Sequence, residues 1–289
     1  MYHFFTETEM FTESEVTIVG PDVNHIKNVL RMKPGEKVLV SDGKGVNFFC
    51  ELTEIDTDAV KAAILPDEVE DTELPVEVVL YQGLPKGDKM ELIIQKCVEL
   101  GVSRIVPVDM ARCVMKLDAK KEGNKIKRWY GVSESAAKQS KRMIVPEISS
   151  VMKYKAAIEE AKNADLAIVP YEAAETLDGA GGMALTRKLI GSLKLGQKCA
   201  IFIGPEGGFA DAEIELALES GVQPVTLGKR ILRTETAGMF VLSAIGYTRC
   251  TATSAAVVPT AINACKRSSI FPSNALRSAI SPSFAIKSL

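Results

Sequence analysis

Two neighbouring stretches, Cys199–Phe209 (CAIFIGPEGGF) and Leu227–Ala237 (LGKRILRTETA), decide the fold of this chain. The first predicts a buried strand over Ala200–Ile203 that ends in a loop with three glycines in five residues. Glycine has no Cβ, so the backbone N–H groups of such a loop can approach a ligand closely. The second predicts a buried strand over Val225–Leu227 that opens into another loop at Gly228. Two loops of this kind at the carboxyl edge of a parallel sheet are where α/β proteins bind cofactors.

Neither loop carries a common nucleotide-binding motif. A P-loop requires G-x-x-x-x-G-K-[ST], but Gly228-Lys229-Arg230 has Arg in place of the Ser or Thr that binds magnesium. The dinucleotide motif G-x-G-x-x-G is absent, and its nearest fragment, Gly43-Lys44-Gly45, lies in a predicted hairpin turn. These absences disfavour a nucleotide-dependent oxidoreductase. A glycine-rich turn that serves packing alone stays an alternative for Gly204–Gly208.

The two loops, together with several motifs that precede them, resemble the SPOUT-type methyltransferases that modify N3 of a uridine in bacterial 16S ribosomal RNA. The resemblance covers residues 1–247. In chain order its motifs are His25-Ile26 through Leu30-Arg31, Lys86–Glu91 (KGDKME), Gln95–Val102 (QKCVELGV), Arg128-Trp129 and Gln139–Arg142 (QSKR). The related ribose 2′-O-methyltransferases of ribosomal and transfer RNA carry an Asn-rich segment where this chain has Arg233–Thr236 (RTET). Those enzymes and a non-catalytic ribosome-assembly protein are the alternatives.

Residues 1–72 predict a small β-rich unit. Short Val- and Phe-containing runs alternate with Gly-Pro, Pro-Gly and Asp-Gly-Lys-Gly turns, a pattern typical of short strands. One helix is predicted over Val23–Met32, with Asp22 as its N-cap. The resemblance implies that this unit is a PUA-like β-barrel domain that binds RNA.

From Val76 onward strands and amphipathic helices alternate, so residues 75–247 predict an α/β domain with an open parallel sheet. The resemblance adds a SPOUT-type fold whose final segment, residues 204–247, forms a C-terminal trefoil knot, and it implies a homodimer. Residues 248–289 contain five basic residues and no acids, lack apolar periodicity, and predict a disordered tail.

Composition limits the partners of the protein. The formal net charge is −2, and because residues 248–289 carry five positive charges, residues 1–247 carry −7. This charge disfavours a general nucleic-acid binder, so an RNA site has to be a local basic patch. Six cysteines without a C-x-x-C pair and two histidines disfavour a metal site. No signal peptide and no apolar run of membrane-spanning length is found, which favours a cytoplasmic protein without a membrane partner.

The resemblance also implies a site for S-adenosylmethionine, held by backbone groups of the two loops and by the end of a neighbouring strand. The residues assigned to this cofactor are Pro170, Tyr171, Ile203, Gly204, Pro205, Glu206, Gly207, Gly208, Leu227, Gly228, Ile231, Leu232, Arg233 and Thr236.

Methylation at N3 requires removal of the imide proton and stabilisation of the negative charge that spreads over the uracil ring. Arg142 is predicted to stabilise this anion, because a guanidinium offers a planar set of donors and keeps its proton. Glu206 or Glu235 is the predicted base. Both could instead orient loops or satisfy helix ends, with Arg233 as an ion-pair partner.

A helix predicted over Lys125–Arg142 places Arg128, Ser135, Gln139 and Arg142 at spacings of three and four residues, nearly on one face. Taken with the QSKR resemblance, this face is predicted to contact RNA, and a solvent-exposed helix face is the alternative. The predicted RNA contacts are Arg31, Lys86, Arg112, Arg128 and Lys138, with the 16S RNA of the 30S subunit as the partner.

Overall fold

The computed structural model describes residues 1–172 and 182–253. Most of the predicted tail, residues 254–289, lies outside this range. Residues 248–253 extend the last helix, which runs over Thr234–Thr253 and does not end at Tyr247 as the sequence suggested. The described residues form two sheets, each with an apolar core of its own.

The N-terminal sheet has five strands. They are β1 (His3–Phe5), β2 (Glu15–Val19), β3 (Lys37–Ser41), β4 (Asn47–Ile55) and β5 (Ala59–Ile64). Their spatial order is β1-β3-β4-β5-β2, with β1 parallel to β3 and the other pairs antiparallel. Along β2, Val16 and Ile18 are fully buried between more exposed neighbours, the alternation expected of a sheet with one covered face.

The helix predicted over Val23–Met32 begins earlier and changes type. It starts as α1 (Pro21–Asn24) and continues as a π-helical turn over His25–Val29. Gly20 occupies the N-cap position and Pro21 the first helical position, which proline favours because it lacks the N–H that would be unpaired there. The prediction that Asp22 caps this helix was therefore wrong.

The second sheet is built from seven short strands, and every described pairing in it is parallel. The strands are β6 (Glu77–Gly83), β7 (Arg104–Asp109), β8 (Glu147–Ile148), β9 (Met152–Lys153), β10 (Leu166–Pro170), β11 (Lys198–Ile203) and β12 (Gln223–Val225). The order is β12-β10-β11-β6-β7-β8, and β9 also pairs with β7. The parallel α/β sheet predicted from the alternation of strands and helices is confirmed.

Within the described ranges, six helices accompany this sheet: α2 (Lys89–Glu99), α3 (Ala119–Ser140), α4 (Tyr154–Ala161), α5 (Gly182–Ser192), α6 (Asp211–Glu219) and α7 (Thr234–Thr253). The core at the sheet centre is aromatic, since Tyr81 of β6 stacks on Phe202 of β11 with ring centroids 4.6 Å apart. Burial of two such side chains contributes about 2–3 kcal/mol each.

Helix α3 is longer at its start than predicted and shorter at its end. Asp118 caps it by accepting a hydrogen bond from Lys121 N at 2.9 Å. Lys141 adopts a left-handed conformation with φ of 58°, which ends the helix. Arg142 therefore lies beyond the helix, and the predicted face shared with Arg128 does not include it.

The two sheets are joined by specific contacts at one junction. Lys138 of α3 donates to both carboxylate oxygens of Asp22, at 3.0 and 2.9 Å. Val145 N donates to the Gly43 carbonyl at 3.1 Å. The junction thus fixes the hairpin between β3 and β4 against the segment that follows α3.

His3 is a buried histidine at this junction and is 6% exposed. Its Nε2 lies 2.6 Å from Ser41 Oγ, and its Nδ1 has no hydrogen-bond partner among the described residues. Burial, with smaller contributions from the charges of Lys138 and Lys141, lowers the pKa of His3 to about 4. The folded protein therefore holds His3 neutral over most of the weakly acidic range.

We expect the free energy of unfolding to fall as pH decreases from about 6.5 to about 4. Between these values the unfolded chain binds a proton at His3 that the folded chain does not. The contribution of His3 to the free energy of unfolding is therefore fully present above pH 6.5 and decreases as the pH falls toward 4. The loss reaches about 3 kcal/mol near pH 4. Urea unfolding at several pH values measures it.

The chain offers a matched control, because its other histidine, His25, is exposed. His3→Gln should flatten the pH dependence between pH 4 and 6.5, whereas His25→Gln should leave it unchanged. Equal slopes for His3→Gln and the wild type would show that His3 does not control acid stability.

Candidate active site

Three loops meet at the carboxyl edge of the parallel sheet. They are the β6 loop (residues 84–88), the glycine loop after β11 (residues 204–210) and the β12 loop (residues 226–233). Strands β6 and β11 pair along six residues, so the first two loops lie side by side. The sequence predicted the glycine loop and the β12 loop at this edge, and the pairing of the strands adds the β6 loop.

A chain of hydrogen bonds ties the start of α7 to the glycine loop. The Thr234 hydroxyl donates to the Gly204 carbonyl at 2.7 Å and accepts from Gln82 Nε2 at 2.9 Å. Gln82 is fully buried at the end of β6, and its Nε2 also donates to the Gly83 carbonyl at 3.0 Å. These bonds fix the end of the β12 loop against both central strands.

The glycines of this region differ in what a side chain would meet at each position. A Cβ at Gly83 would lie 2.7 Å from Pro205 N, so packing between the β6 loop and the glycine loop requires glycine there. A Cβ at Gly207 would lie 3.0 Å from Arg112 Cβ, and Arg112 Nη1 donates to the Gly207 carbonyl at 3.2 Å. A side chain at Gly207 would therefore meet Arg112. Gly208, with φ of 68°, has open space where a Cβ would be.

The two candidate bases lie on either side of Lys89, the first residue of α2. Lys89 Nζ is 2.9 Å from Glu206 Oε1 and 3.5 Å from Glu235 Oε2. Glu206 also accepts from Lys86 N at 3.1 Å. Partial burial opposes ionisation of Glu206, but the hydrogen bonds from Lys89 and Lys86 outweigh it and hold its pKa below the usual value. The hydrogen bond to Glu206 raises the pKa of Lys89.

Glu235 is the less restrained of the two carboxylates. It belongs to the first turn of α7, its side chain is only 17% exposed, and its Oε2 makes one ion pair within the described residues, the 3.5 Å contact with Lys89 Nζ. Arg233 is exposed and forms no ion pair with Glu206 or Glu235 within the described residues. Glu235 is therefore held by a single, longer contact with Lys89, whereas Glu206 is held by a shorter contact with Lys89 and by the Lys86 amide.

The β12 loop presents backbone donors at this edge. Gly228 has φ of 101° with open space where a Cβ would lie, and its N–H donates to Thr226 Oγ1 at 3.2 Å. The N–H groups of residues 229–233 make no hydrogen bond to any described residue. Ile231 is 83% exposed, whereas Leu227 and Leu232 pack against the core.

The end of β10 lies beside this loop. Pro170 pairs with Val225 in the register of β10 and β12, and Tyr171 N donates to the Val225 carbonyl at 3.0 Å. The Tyr171 side chain packs against the core. Ile203, the last residue of β11, is buried, and Thr236 is exposed on the first turn of α7.

Glu213 supports the site from behind. Ala210 occupies the N-cap of α6 without a hydroxyl, but its N–H donates to Glu213 Oε2 at 2.8 Å, so half of a capping box remains. Glu213 Oε1 accepts from Ala111 N at 2.8 Å. One buried carboxylate thereby holds the loop that carries Arg112 against the start of α6.

Arg142 does not belong to this site. It is 3% exposed, its Nε and Nη2 donate to the Glu73 carboxylate, and its Nη1 donates to the carbonyls of Val98 and Val102. Val98 lies nine residues after Lys89 in α2, roughly 13 Å along the helix. Because every guanidinium nitrogen is bound to the protein at the far end of α2, the predicted role of Arg142 in stabilising a uracil anion is corrected to a structural one.

The predicted RNA contacts separate into three groups. Arg31, Lys86 and Arg112 are exposed, and Arg31 has a left-handed φ of 53°. Arg128 is exposed but pairs with Glu91, with Arg128 Nε 2.8 Å from Glu91 Oε1. Lys138 is the exception, because its ammonium binds the carboxylates of α1 and α3 at the junction. Lys138, predicted to contact RNA, is held in this ion-pair cluster instead.

Comparison with known proteins agrees with this arrangement. A family model described as an RNA methyltransferase domain matches residues 72–246, and one described as an RNA methyltransferase PUA domain matches residues 19–65. The chain is 38% identical to the ribosomal RNA small subunit methyltransferase E of Bacillus subtilis over 250 residues, 86% of this chain and 96% of the relative. The chain belongs to the ribosomal RNA small subunit methyltransferase E family. The family predicted from the two loops is confirmed.

Two further relatives of the same family extend the match. The ribosomal RNA small subunit methyltransferase E of Synechocystis is 32% identical over 248 residues, 84% of this chain and 77% of the relative. The crystal structure of the Neisseria gonorrhoeae protein of that name, bound to S-adenosyl methionine, is 32% identical with a TM-score of 0.72. That match covers 86% of this chain and 97% of the Neisseria chain.

Two other features of the described residues bear on partners. Within residues 1–172 and 182–253, no helix combines the length and the apolar character needed to cross a bilayer. In the same range, no three His, Cys, Asp or Glu side chains are grouped as metal ligands would be.

Four residues that shape the site of this methyltransferase E family member were not predicted as site residues: Lys89, Gln82, Thr234 and Glu213. Lys89 lies within the KGDKME motif and Thr234 within RTET. Both motifs were recognised, but neither residue was given a role of its own. Gln82 and Glu213 are polar residues in apolar surroundings, at the end of a predicted strand and on the apolar side of a helix. Polar side chains that interrupt such patterns are the signal that could have identified them.

Proposed function

We propose that this protein is an S-adenosylmethionine-dependent methyltransferase that methylates N3 of a uridine in 16S ribosomal RNA, acting on the 30S subunit or a precursor. The observation that carries the proposal is the meeting of the glycine loop, the β12 loop and Glu235 at one sheet edge, fixed by the Thr234 hydrogen bonds. The family and the S-adenosyl methionine bound to the Neisseria relative support it.

The residues at this edge fit S-adenosylmethionine. The cofactor needs hydrogen-bond donors for its carboxylate and adenine, and the β12 loop offers free backbone N–H groups over residues 229–233. Gly208 and Gly228 leave open the space that side chains would fill. We assign the cofactor to the glycine loop, the β12 loop and the end of β10, including Pro170 and Tyr171. When bound, it supplies an activated methyl group.

The chain itself has to remove the N3 proton and stabilise the resulting charge. We assign proton removal to Glu235, because its contact with Lys89 is the longer one at 3.5 Å, and we assign Glu206 to holding Lys89 at 2.9 Å. Lys89 lies between the two carboxylates and can offset negative charge near the uracil ring. Arg112 is an exposed guanidinium that donates to the Gly207 carbonyl of the glycine loop, and we assign it to RNA phosphate.

The proposal includes the architecture that the resemblance implied. Residues 1–72 form the RNA-binding PUA-like domain and residues 75–247 the catalytic domain. The β12 loop runs from β12 past β10 and β11 to Thr234 beside β6, which supports a trefoil knot over residues 204–247. Two copies form the active homodimer, and a ribosomal substrate places the enzyme in the cytoplasm.

The proposal is tested with 30S subunits that lack the modification, labelled S-adenosylmethionine and mass spectrometry of the digested nucleosides. We expect label in N3-methyluridine. Label kept on the ribose after release of the base would identify a ribose 2′-O-methyltransferase. Absence of any heat of cofactor binding in calorimetry would instead identify a non-catalytic RNA-binding protein.

A pair of glycine variants tests the position of the cofactor. Gly228→Val should weaken S-adenosylmethionine binding at least tenfold, because it places a branched side chain at a positive φ of 101° in open space at the site. Gly196→Val is the control, since Gly196 also has a positive φ of 77° and open space but precedes β11 at the opposite edge. Both variants should lose similar stability, and equal loss of cofactor binding would contradict the assignment.

A further inference from the structure

A groove of about 720 Å³ lies between α2 and α3. Its walls come from one face of each helix, with Gln95 and Lys96 on α2 and Arg128, Ser135 and Gln139 on α3. None of its residues belongs to the three loops of the active site. Its volume lies within the range of small-molecule sites.

Two side-chain amides in this groove have no hydrogen-bond partner among the described residues. Neither Gln95 nor Gln139 makes a side-chain hydrogen bond to any residue within the described ranges, although each carries two donors and a carbonyl acceptor. The Ser135 hydroxyl donates to the Gly131 carbonyl at 2.8 Å and keeps its lone pairs as acceptors. Val132 and Ala136 add apolar surface between these polar groups. Amides beside an apolar surface suit a planar ring with hydrogen-bonding edges.

The charges of the groove are balanced within the protein. Lys96 Nζ lies 2.8 Å from Glu99 Oε1, and Arg128 Nε lies 2.8 Å from Glu91 Oε1. A phosphate would meet no net positive charge here, so the groove favours an uncharged group. Ribose and base are the uncharged parts of an RNA, and the amides beside the apolar surface of Val132 and Ala136 favour the planar base.

Gly131 keeps the groove open. It lies within α3, where glycine is unfavourable because it loses more conformational freedom than any other residue. A Cβ at Gly131 would meet no atom within 4 Å, so packing within the protein does not require glycine. Its absent side chain leaves room in the groove lined by Gln95 and Gln139.

We propose that this groove binds an unpaired base of the ribosomal RNA substrate, next to but distinct from the nucleotide that is methylated. The proposal rests on the proposed function and adds a second contact to it. Gln95 lies six residues after Lys89 in α2, roughly 9 Å from the active site along the helix. When the target nucleotide lies in the active site, the nucleotide next to it on the same strand can reach a groove at this distance.

Filling the groove tests the proposal. Gly131→Leu should raise the KM for 30S subunits roughly tenfold or more, with kcat at saturating substrate and the affinity for S-adenosylmethionine near wild type. Gln95→Ala/Gln139→Ala should raise the same KM by removing the amides. Gly123→Leu is the matched control, because Gly123 also lies in α3 with open space around it but outside the groove. Both leucine variants should keep or raise the thermal midpoint.

The outcomes separate this proposal from the proposed function. If the wild type methylates 30S subunits and Gly131→Leu shows the wild-type KM, the groove does not bind RNA. If Gly131→Leu changes the oligomeric state in sedimentation while Gly123→Leu does not, the groove is an interface between copies and the proposal is overturned. If the wild type itself transfers no methyl group, the proposed function fails first, and direct binding of 16S RNA by the same variants still decides whether the groove contacts RNA.

Discussion

We expect Arg142→Ala to lower the free energy of unfolding by about 3–5 kcal/mol, a fall of roughly 10 °C in the thermal midpoint. Without the guanidinium, the largely buried carboxylate of Glu73 has no counter-ion, although it still accepts from Met143 N at 2.9 Å. The carbonyls of Val98 and Val102 also lose their donor. Urea unfolding followed by circular dichroism measures the loss.

Arg128→Ala is the matched control for this prediction. Arg128 also pairs with a glutamate, but its side chain is 61% exposed, so solvent screens the pair and the change should stay below about 1 kcal/mol. Glu73→Gln/Arg142→Met, which removes both charges, should be more stable than Arg142→Ala. If Arg142→Ala kept wild-type stability and lost methyl transfer alone, the structural role given to Arg142 would be wrong.

Much of the fold was predictable because its elements have strong local patterns. The β-rich unit predicted over residues 1–72 and the alternation of strands and helices predicted from Val76 onward correspond to the two sheets of the structure. Alternating or continuous apolar runs and glycine stops encode such elements directly, as at Gly101, whose φ is 94°. The short strands β1, β8 and β9 were missed, since two or three residues carry too little pattern and pair only because the tertiary fold brings a partner.

The site was predicted to the level of loops and less well to the level of side chains. The glycines at predicted strand ends located the glycine loop and Gly228, because backbone conformations that favour glycine are visible in the sequence. Arg142 was misassigned because a sequence motif does not show which residue ends a helix. The left-handed conformation of Lys141 turns Arg142 away from α3 and toward Glu73, a partner 69 residues earlier in the chain.

Long-range partners explain the other errors as well. Lys138 was predicted to contact RNA because the sequence does not reveal that Asp22 lies beside it, 116 residues away in the chain. The direction in which Gly207 would carry a side chain was equally hidden, because Arg112, which packs there, belongs to a different strand-end loop. Charge and glycine patterns predict what a residue can do, whereas its neighbours in space decide what it does.

We expect Glu235→Gln to lower the rate of methyl transfer by about 10²–10⁴, the usual scale for loss of a general base. Gln keeps the size of the side chain at the start of α7 but cannot accept the N3 proton. The affinity for S-adenosylmethionine, measured by calorimetry, should stay near wild type, because the Thr234 bonds that hold the loops are untouched. The residual rate should rise with pH in step with the fraction of uracil that has already lost its N3 proton.

Glu206→Gln provides the comparison that assigns the base. Glu206 is bound by Lys89 and the Lys86 amide, and its pKa lies below the usual value, so it is a weak proton acceptor at neutral pH. Its substitution should lower the rate only severalfold, since Lys86 N can still donate to the amide oxygen, and should not produce the added pH dependence. A larger rate loss for Glu206→Gln than for Glu235→Gln, with cofactor affinity unchanged, would reverse the two roles. Because both variants remove one negative charge beside Lys89, the difference between them reports proton transfer and not the change in local charge.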